Sequence, residues 1–309
     1  TDRQFQAAHP IMEASREKMR AVLNPILDEG AIAVVTGFMA ATEKGNITTL
    51  GRGGSDYSAA LVGALLPSQE VWIWTDVDGV MTADPRLVPD AHTIPTLSYR
   101  EVAELAYYGA KVLHPLTIRP VVEAGVGLRV LNTFNPANPG TEIVRDMQTD
   151  SGKVIKAVTA IKGLRLITVD GRGMLGVPGV AARTFSTVAA TGVSVPLISQ
   201  ASSEQSICFA VPAESADEVV AALQNTFARE IERRDIDRIW ATHNVGTITV
   251  VGAGMSSTPG VAGKVFSALG DNQVNVIAIA QGSSEVSISL MVTEEEIKRA
   301  VVTLHSLIA

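Results

Sequence analysis

Three short segments carry residues suited to handling phosphate and carboxylate groups. The first, Thr48 to Asp56, reads Thr-Thr-Leu-Gly-Arg-Gly-Gly-Ser-Asp. Glycines at a loop-to-helix turn let backbone N–H groups approach an anion closely, and a helix start attracts negative charge. Arg52, inside that turn, can grip a carboxylate through a two-pronged hydrogen bond. Thr49, Gly53, Gly54 and Ser55 complete the candidate substrate cradle. Asp56, in the first helical turn, can orient a nucleophile or a metal. The purely structural alternative is a glycine turn followed by an acid that stabilises the helix start.

The second segment, Trp74 to Met81, follows an apolar run and leads into Asp84-Pro85-Arg86. Ligands of open α/β sheets sit at the carboxyl ends of strands, where Thr75 and Asp76 would lie. The third segment, Gly109 to Pro115, places Lys111 just after a helix. Arg86 and Lys111 suit phosphate oxygens, because phosphoryl transfer is catalysed mainly by positioning and charge neutralisation. Taken singly, each equally suits a solvated surface. The phosphate-binding signature of P-loop kinases is absent from the sequence.

The elements that must hold these residues form two different patterns. Over the first 150 or so residues, Glu13–Leu27 reads as a helix, Ile32–Val35 and Val71–Trp74 as short buried strands, and Ser55–Leu66 as a helix with a broad apolar face. Ser98 and Glu101 form a capping box for a further helix running towards Tyr108. Strands separated by helices imply a mostly parallel α/β sheet. Asn135 to Gly140 is rich in turn formers, and Asp146 to Lys153 is a polar linker.

Beyond the linker the chain repeats itself. Gly173–Val211 aligns without gaps on Gly254–Val292, with roughly 18 of about 39 positions identical at an offset of about 81 residues. Each copy reads as strand, loop, helix, strand, strand, helix, the pattern of a ferredoxin-like α+β unit. Pro178-Gly179 and Pro259-Gly260 open a helix in each copy. Val193–Ile198 and Ser206–Val211 are two strands of the first copy. Ser215 with Glu218, and Thr293 with Glu296, read as capping boxes. Gly171 to Gly176 matches the dinucleotide pattern GxGxxG, but the next strand ends at Gln200 instead of an acid, which disfavours such a site.

Composition narrows the classes. The 309 residues carry a net charge of −7 and no Lys/Arg-rich run, which excludes an electrostatic nucleic-acid binder. Cys208 is the only cysteine, so no disulfide forms within the chain, which fits a cytoplasmic setting. No apolar run approaches the roughly 18 residues a membrane span needs. His9, His92, His114, His243 and His305 lack metal-ligand spacing, so no metal site is assigned. Trp72, Trp74 and Trp240 read as packing residues.

The strings LGRGGSDYSAA, IWTDVDGVMTADPR and YGAKVLHP, in this order, closely resemble the amino-acid kinase domain of aspartate kinases. The repeat, with ISQASSE and IAQGSSE, resembles their paired ACT domains, as in the threonine-regulated and bifunctional aspartokinase–homoserine dehydrogenase group. The resemblance implies residues 1–150 as the ATP-side part of a three-layer αβα kinase domain, 151–241 as one ACT domain and 242–309 as a second. It implies transfer of the ATP γ-phosphoryl group to the side-chain carboxylate of L-aspartate, with Mg²⁺ as the bridging ion. Arg52 would hold the substrate carboxylate and Asp56 would be the catalytic aspartate. Thr75 and Asp76 would line the nucleoside site, Arg86 and Lys111 would meet the ATP phosphates, and Met81 and Val112 would complete the ATP-binding set. Met81 stands where many relatives carry tyrosine.

In the repeat, the loops Met174–Gly179 and Met255–Gly260 can offer backbone N–H groups to an effector's carboxylate. Gln200, Asn275 and Gln281 can take its amino group or side chain. The resemblance points to both glutamines as effector contacts, with threonine or lysine as effector; the structural alternative is that the glutamines bridge strands. A homodimer through joined ACT sheets is expected. The Lys-x-Gly-Gly motif that opens the family's kinase domain does not occur here, so this chain alone is expected not to phosphorylate aspartate. The rival readings are a non-catalytic regulatory subunit and part of a bifunctional aspartokinase–homoserine dehydrogenase.

Overall fold

The computed structural model describes residues 1–108, 113–145, 154–174, 176–200, 205–281 and 286–308. They form two compact units. One holds Thr1–Ala157 with Val251–Met255 and Ile308, and the other holds Val158–Val250 and Ser256–Leu307. Among the described residues no helix is long and apolar enough to cross a membrane.

In the first unit, helix α1 (Met12–Asp28) precedes an antiparallel hairpin, β1 (Met39–Ala41) and β2 (Ile47–Thr49). Then follow α2 (Gly54–Leu65), β3 (Glu70–Thr75), β4 (Thr96–Ser98), α3 (Tyr99–Tyr107), α4 (Pro115–Ala124), β5 (Gly127–Asn132) and β6 (Thr141–Val144). The sheet order is β3-β5-β6-β4. β3 runs parallel to β5 and β4 to β6, while β5 and β6 are antiparallel. The mixed sheet with parallel pairs bears out the expected α/β class.

Strand β3 shows why these residues fold this way. Successive side chains of a strand point to opposite faces, and Val71 and Ile73 are buried while Trp72 and Trp74 are 55% and 45% exposed. The two indoles pack edge-to-face on each other instead of into the core, which corrects the packing role expected of them. Trp240 is half-buried beneath the Arg238 guanidinium. Ile32–Val35 is also corrected: it forms no strand, and Ile32 and Val34 are 91% and 95% exposed. β-branched residues favour strands only where a neighbouring strand supplies hydrogen bonds and packing, and none of the described strands pairs with this run. The capping box at α3 forms as expected. Ser98 Oγ accepts from Glu101 N–H, and Ser98 N–H donates to Glu101 Oε2 at 2.7 Å.

The second unit contains β7 (Ala157–Asp170, its first residue in the first unit), α5 (Val180–Ala190), β8 (Leu197–Gln200), β9 (Ser206–Pro212), α6 (Ala216–Thr226), α7 (Ala228–Glu232) and β10 (Arg238–Val251, its last residue in the first unit). α8 (Val261–Asp271), β11 (Ala278–Ala280), β12 (Ser287–Thr293) and α9 (Ile297–His305) complete it. The repeat is reproduced element by element, since β10, α8 and β12 lie 81 residues beyond β7, α5 and β9 with equal lengths. The sheet order is β11-β12-β10-β7-β9-β8. Arg165 Nε and Leu166 N donate to the carbonyl and hydroxyl of Thr242, while Gly246 lies against the carbonyl of Ile161. β7 and β10 are therefore antiparallel neighbours along their whole length, with Lys156 N–H meeting the Val251 carbonyl at one end and Asp237 N–H the Asp170 carbonyl at the other. The edge strands β8 and β11 approach one another.

Both faces of this sheet are apolar. Ile167 and Val169 join Phe209, Val219, Leu223 and Phe227 under the helices. Leu164 and Leu166, offset along the same strand, meet Leu197, Ala210, Val245 and Met291 in a second cluster. Two caps depart from expectation. A 3₁₀ turn, Ala213–Ser215, precedes α6 and leaves Ser215 in helical backbone geometry, where its hydroxyl makes no cap. Thr293 Oγ1 instead bonds the Glu296 carboxylate at 3.0 Å, with another 3₁₀ turn ahead of α9. β8 begins at Leu197, not Val193, because Pro196 has no N–H to donate to the ladder.

Phe209 is fully buried in the first cluster. Phe209→Ala is expected to cost about 3–5 kcal/mol in chemical denaturation. Phe134→Ala, at an 82% exposed position, should stay within about 0.5 kcal/mol of the parent.

Candidate functional site

The glycine segment turns the chain from β2 into α2 within four residues. Gly51 and Gly53 take left-handed φ values of 77° and 72°, a region most side chains avoid. At Gly53 a side chain would also overlap His114. Ser58 Oγ accepts from Phe38 N–H at 2.9 Å, tying the hairpin to α2. Thr49 donates its hydroxyl to the Phe5 carbonyl, so that oxygen is already engaged. Arg52 and Ser55 are exposed, and Arg52 makes no side-chain hydrogen bond or ion pair with any described residue.

Asp56 is half-buried in the first turn of α2. Burial raises its carboxyl pKa above the ordinary value, opposed by the nearby His114. His114, whose spacing suits no metal site, bears on this one. It caps α4, with Nδ1 accepting from Leu116 N–H at 3.3 Å, and it packs on Gly53. The first and third segments therefore meet through this imidazole. Its signal was its place ahead of Pro115, a favoured first residue of a helix. Lys111 and Val112 lie outside the described residues.

The second segment sits at strand ends as expected. Thr75 closes β3 opposite Asn132, the last residue of β5. Thr75 Oγ1 accepts from Val77 N–H at 3.1 Å and bonds Asp76 Oδ1 at 3.3 Å. Asp78, not singled out from the sequence, accepts from Asn132 Nδ2 at 2.7 Å and Asn135 Nδ2 at 3.1 Å. Met81 bridges to Thr93, whose hydroxyl reaches its sulfur. Arg86 is held by Asp84 through Nε and Nη2, the latter at 2.6 Å. A phosphate at Arg86 would have to displace or share that carboxylate.

In the repeat, Met174, Gly179 and Gln200 converge on one cavity of about 430 Å³, lined also by Gly176, Val177 and Pro178. Gly179 starts α5 with φ 89°. In the second copy, Gly260 starts α8, Asn275 is exposed, and exposed Gln281 follows β11. Met255 is buried and groups with the first unit. A larger cleft of about 850 Å³, lined by Lys162, Arg165, His243 and Glu294, holds none of the expected residues. Its Arg165 is already bound to Asp217 at 2.7 Å. Among the described residues no group of three or more His, Cys, Asp or Glu side chains is placed to hold a metal ion.

Comparison with known proteins adds a second line. The profile of the amino acid kinase family matches residues 6–132, and that of the ACT domain matches 167–227 and 248–307. The E. coli aspartokinase III complex with lysine and aspartate (T-state) superposes with a TM-score of 0.80 at 31% identity, covering 100% of this chain and 67% of that one. The chain belongs to the aspartate kinase family. The complex of the same E. coli enzyme with aspartate and ADP (R-state) matches with a TM-score of 0.79 at 30% identity, over 99% of this chain and 67% of that one. A bifunctional aspartokinase/homoserine dehydrogenase of Haemophilus influenzae is 45% identical over 274 residues, 89% of this chain. The chain spans about a third of that relative's length, 34%.

The raised Asp56 pKa has a stability consequence. Its folded pKa lies above the unfolded value, so its contribution is fully favourable below the unfolded pKa and is lost as pH rises through the folded one. Asp56→Asn should therefore unfold at a higher temperature than the parent at neutral pH. The difference should vanish below about pH 3.8, which thermal melts across pH will test.

Proposed function

We propose that this chain is part of an aspartate kinase that transfers the ATP γ-phosphoryl group to the side-chain carboxylate of L-aspartate, forming 4-phospho-L-aspartate, and that an amino acid regulates it through the repeat. The observation that carries the reading is the meeting of the glycine turn with His114 at Gly53, flanked in sequence by Arg52, which has no partner among the described residues, and half-buried Asp56. Arg52 receives the substrate carboxylate with Thr49, Gly53, Gly54 and Ser55. Asp56 orients the acceptor. Thr75 and Asp76 line the nucleoside, Arg86 and Lys111 take the phosphates, and Met81 and Val112 complete the ATP-binding set. The aspartate and ADP held by E. coli aspartokinase III support these substrates. Mg²⁺, when bound with the nucleotide, supplies countercharge to the phosphates.

Residues 1–150 act as the kinase portion, with ACT domains over 151–241 and 242–309. The cavity at Met174, Gly179 and Gln200 takes the effector in the first copy, and Met255, Gly260, Asn275 and Gln281 take it in the second. Lysine in the E. coli T-state complex supports an amino-acid effector, and threonine is the first candidate. A homodimer through the ACT sheets is the proposed assembly, and the lone cysteine supports a cytoplasmic setting. The identity with the Haemophilus influenzae enzyme favours a bifunctional parent carrying homoserine dehydrogenase as well.

Two measurements test this. In the complete enzyme, Arg52→Ala should lower kcat/KM for aspartate by about 10²–10³, as for other lost charge-stabilising groups; an unchanged value removes Arg52 from the site. Titration of the 309-residue chain with L-threonine and L-lysine should raise its melting temperature with one of them, and Gln200→Ala should weaken that shift. Stabilisation by neither removes the sensing role.

A further inference from the structure

Glu101 is 0% exposed, and both oxygens of its carboxylate are occupied from three separate stretches of chain. Oε2 accepts from Ser98 N–H at 2.7 Å, from Ser98 Oγ at 2.9 Å and from Lys156 Nζ at 3.0 Å. Oε1 accepts from Ala253 N–H at 2.7 Å. Lys156 is itself buried and also reaches the Thr96 carbonyl at 3.3 Å. All of these residues belong to the first unit, which takes in Val251–Met255. A capping box needs only the Ser98 bonds, so the cap alone does not account for Lys156 and Ala253.

The duplication supplies an internal control. By the repeat's offset, Arg172 in the first copy corresponds to Ala253, and Lys156 to Asp237. The backbone frame is the same in both places. Asp237 N–H donates to the Asp170 carbonyl at 2.8 Å, and Lys156 N–H donates to the Val251 carbonyl at 2.8 Å. In the first copy the loop's Arg172 N–H is received by the Asp237 carboxylate at 3.2 Å, a surface group whose side chain is 30% exposed. In the second copy the equivalent position carries a cation, Lys156, and the loop N–H is received by Glu101 instead. One copy thus closes its loop with its own acid, while the other borrows a fully buried acid from helix α3. Gly252 lets this loop lie flat, because a side chain there would overlap the Val154 carbonyl.

We infer that Glu101 is a positioning residue that ties the second copy's ligand loop to helix α3, so that occupancy of that loop reaches α3. The inference rests on the sensing role proposed above. Displacing Ala253 strips a partner from a carboxylate that water does not reach. Such a group is costly to leave unpaired, so loop and helix shift together. A loop closed by an exposed acid loses far less by moving, because solvent replaces the bond.

Hydrogen exchange on the 309-residue chain, with and without saturating L-threonine or L-lysine, tests this. In the parent, ligand should alter exchange both in peptides covering residues 252–260 and in those covering 99–107. In Glu101→Gln the response at 252–260 should persist while that at 99–107 disappears. Should the single variant fold poorly, Glu101→Gln/Lys156→Met removes both buried charges together, which leaves no orphan ion, and it should behave the same way. Peptides over 172–179 should respond alike in every variant. A helix response equal in parent and variants overturns the inference, as does a parent response confined to either loop; the sensing role survives both results. Silence at both loops with both amino acids sinks the sensing role and this inference with it.

Discussion

Two left-handed residues within three positions are the constraint on which the candidate site rests. Gly51 and Gly53 carry the chain from the end of β2 to the start of α2 without a side chain in the way. The space a Cβ would fill at Gly53 is occupied by His114. Arg52 is thereby pushed outward between two backbone positions that cannot relax, and Asp56 is drawn halfway under cover. A longer or more flexible turn would let the arginine fold back onto the aspartate. Held as they are, one cation faces solvent with no partner among the described residues, and one acid sits in surroundings that resist its charge.

The remaining charged groups show the contrast. Arg86 is neutralised by Asp84, two residues earlier, and Asp78 is fastened by Asn132 and Asn135. These are preorganised supports at the strand ends; their hydrogen bonds fix the loop that follows β3. Only the Arg86–Asp84 pair is local; Asp78 is held by residues more than fifty positions away, which ties the loop after β3 to the end of β5.

Much of this was legible in the sequence because it depends on local pattern. The glycine turn, the alternation of β3, the Ser98–Glu101 cap and the 81-residue repeat are each written in neighbouring residues. What escaped depended on partners distant in sequence. Ile32–Val35 has a strand's composition but no ladder to join. Trp72 and Trp74 look like core until the sheet shows which face they occupy. His114, set aside in the sequence because its spacing suits no metal, lies against Gly53, and Asp78 gains its place from two asparagines far along the chain. Ser215 failed as a cap because a 3₁₀ turn, invisible to a three-residue spacing rule, intervened.

The two long strands carry a consequence for how the repeated module can be divided. β7 and β10 are each fourteen residues long and lie side by side, antiparallel, from end to end. Each therefore closes one copy with its first half and opens the other with its second. The strand that completes the second copy lies ahead of the first copy in the chain, so no single cut between residues 171 and 237 releases either copy whole. The pair can be inherited, folded or lost only together. Each long strand runs directly into the loop that opens the next helix, so the two repeated loops sit at opposite ends of one antiparallel pair, and the ladder that anchors one anchors the other.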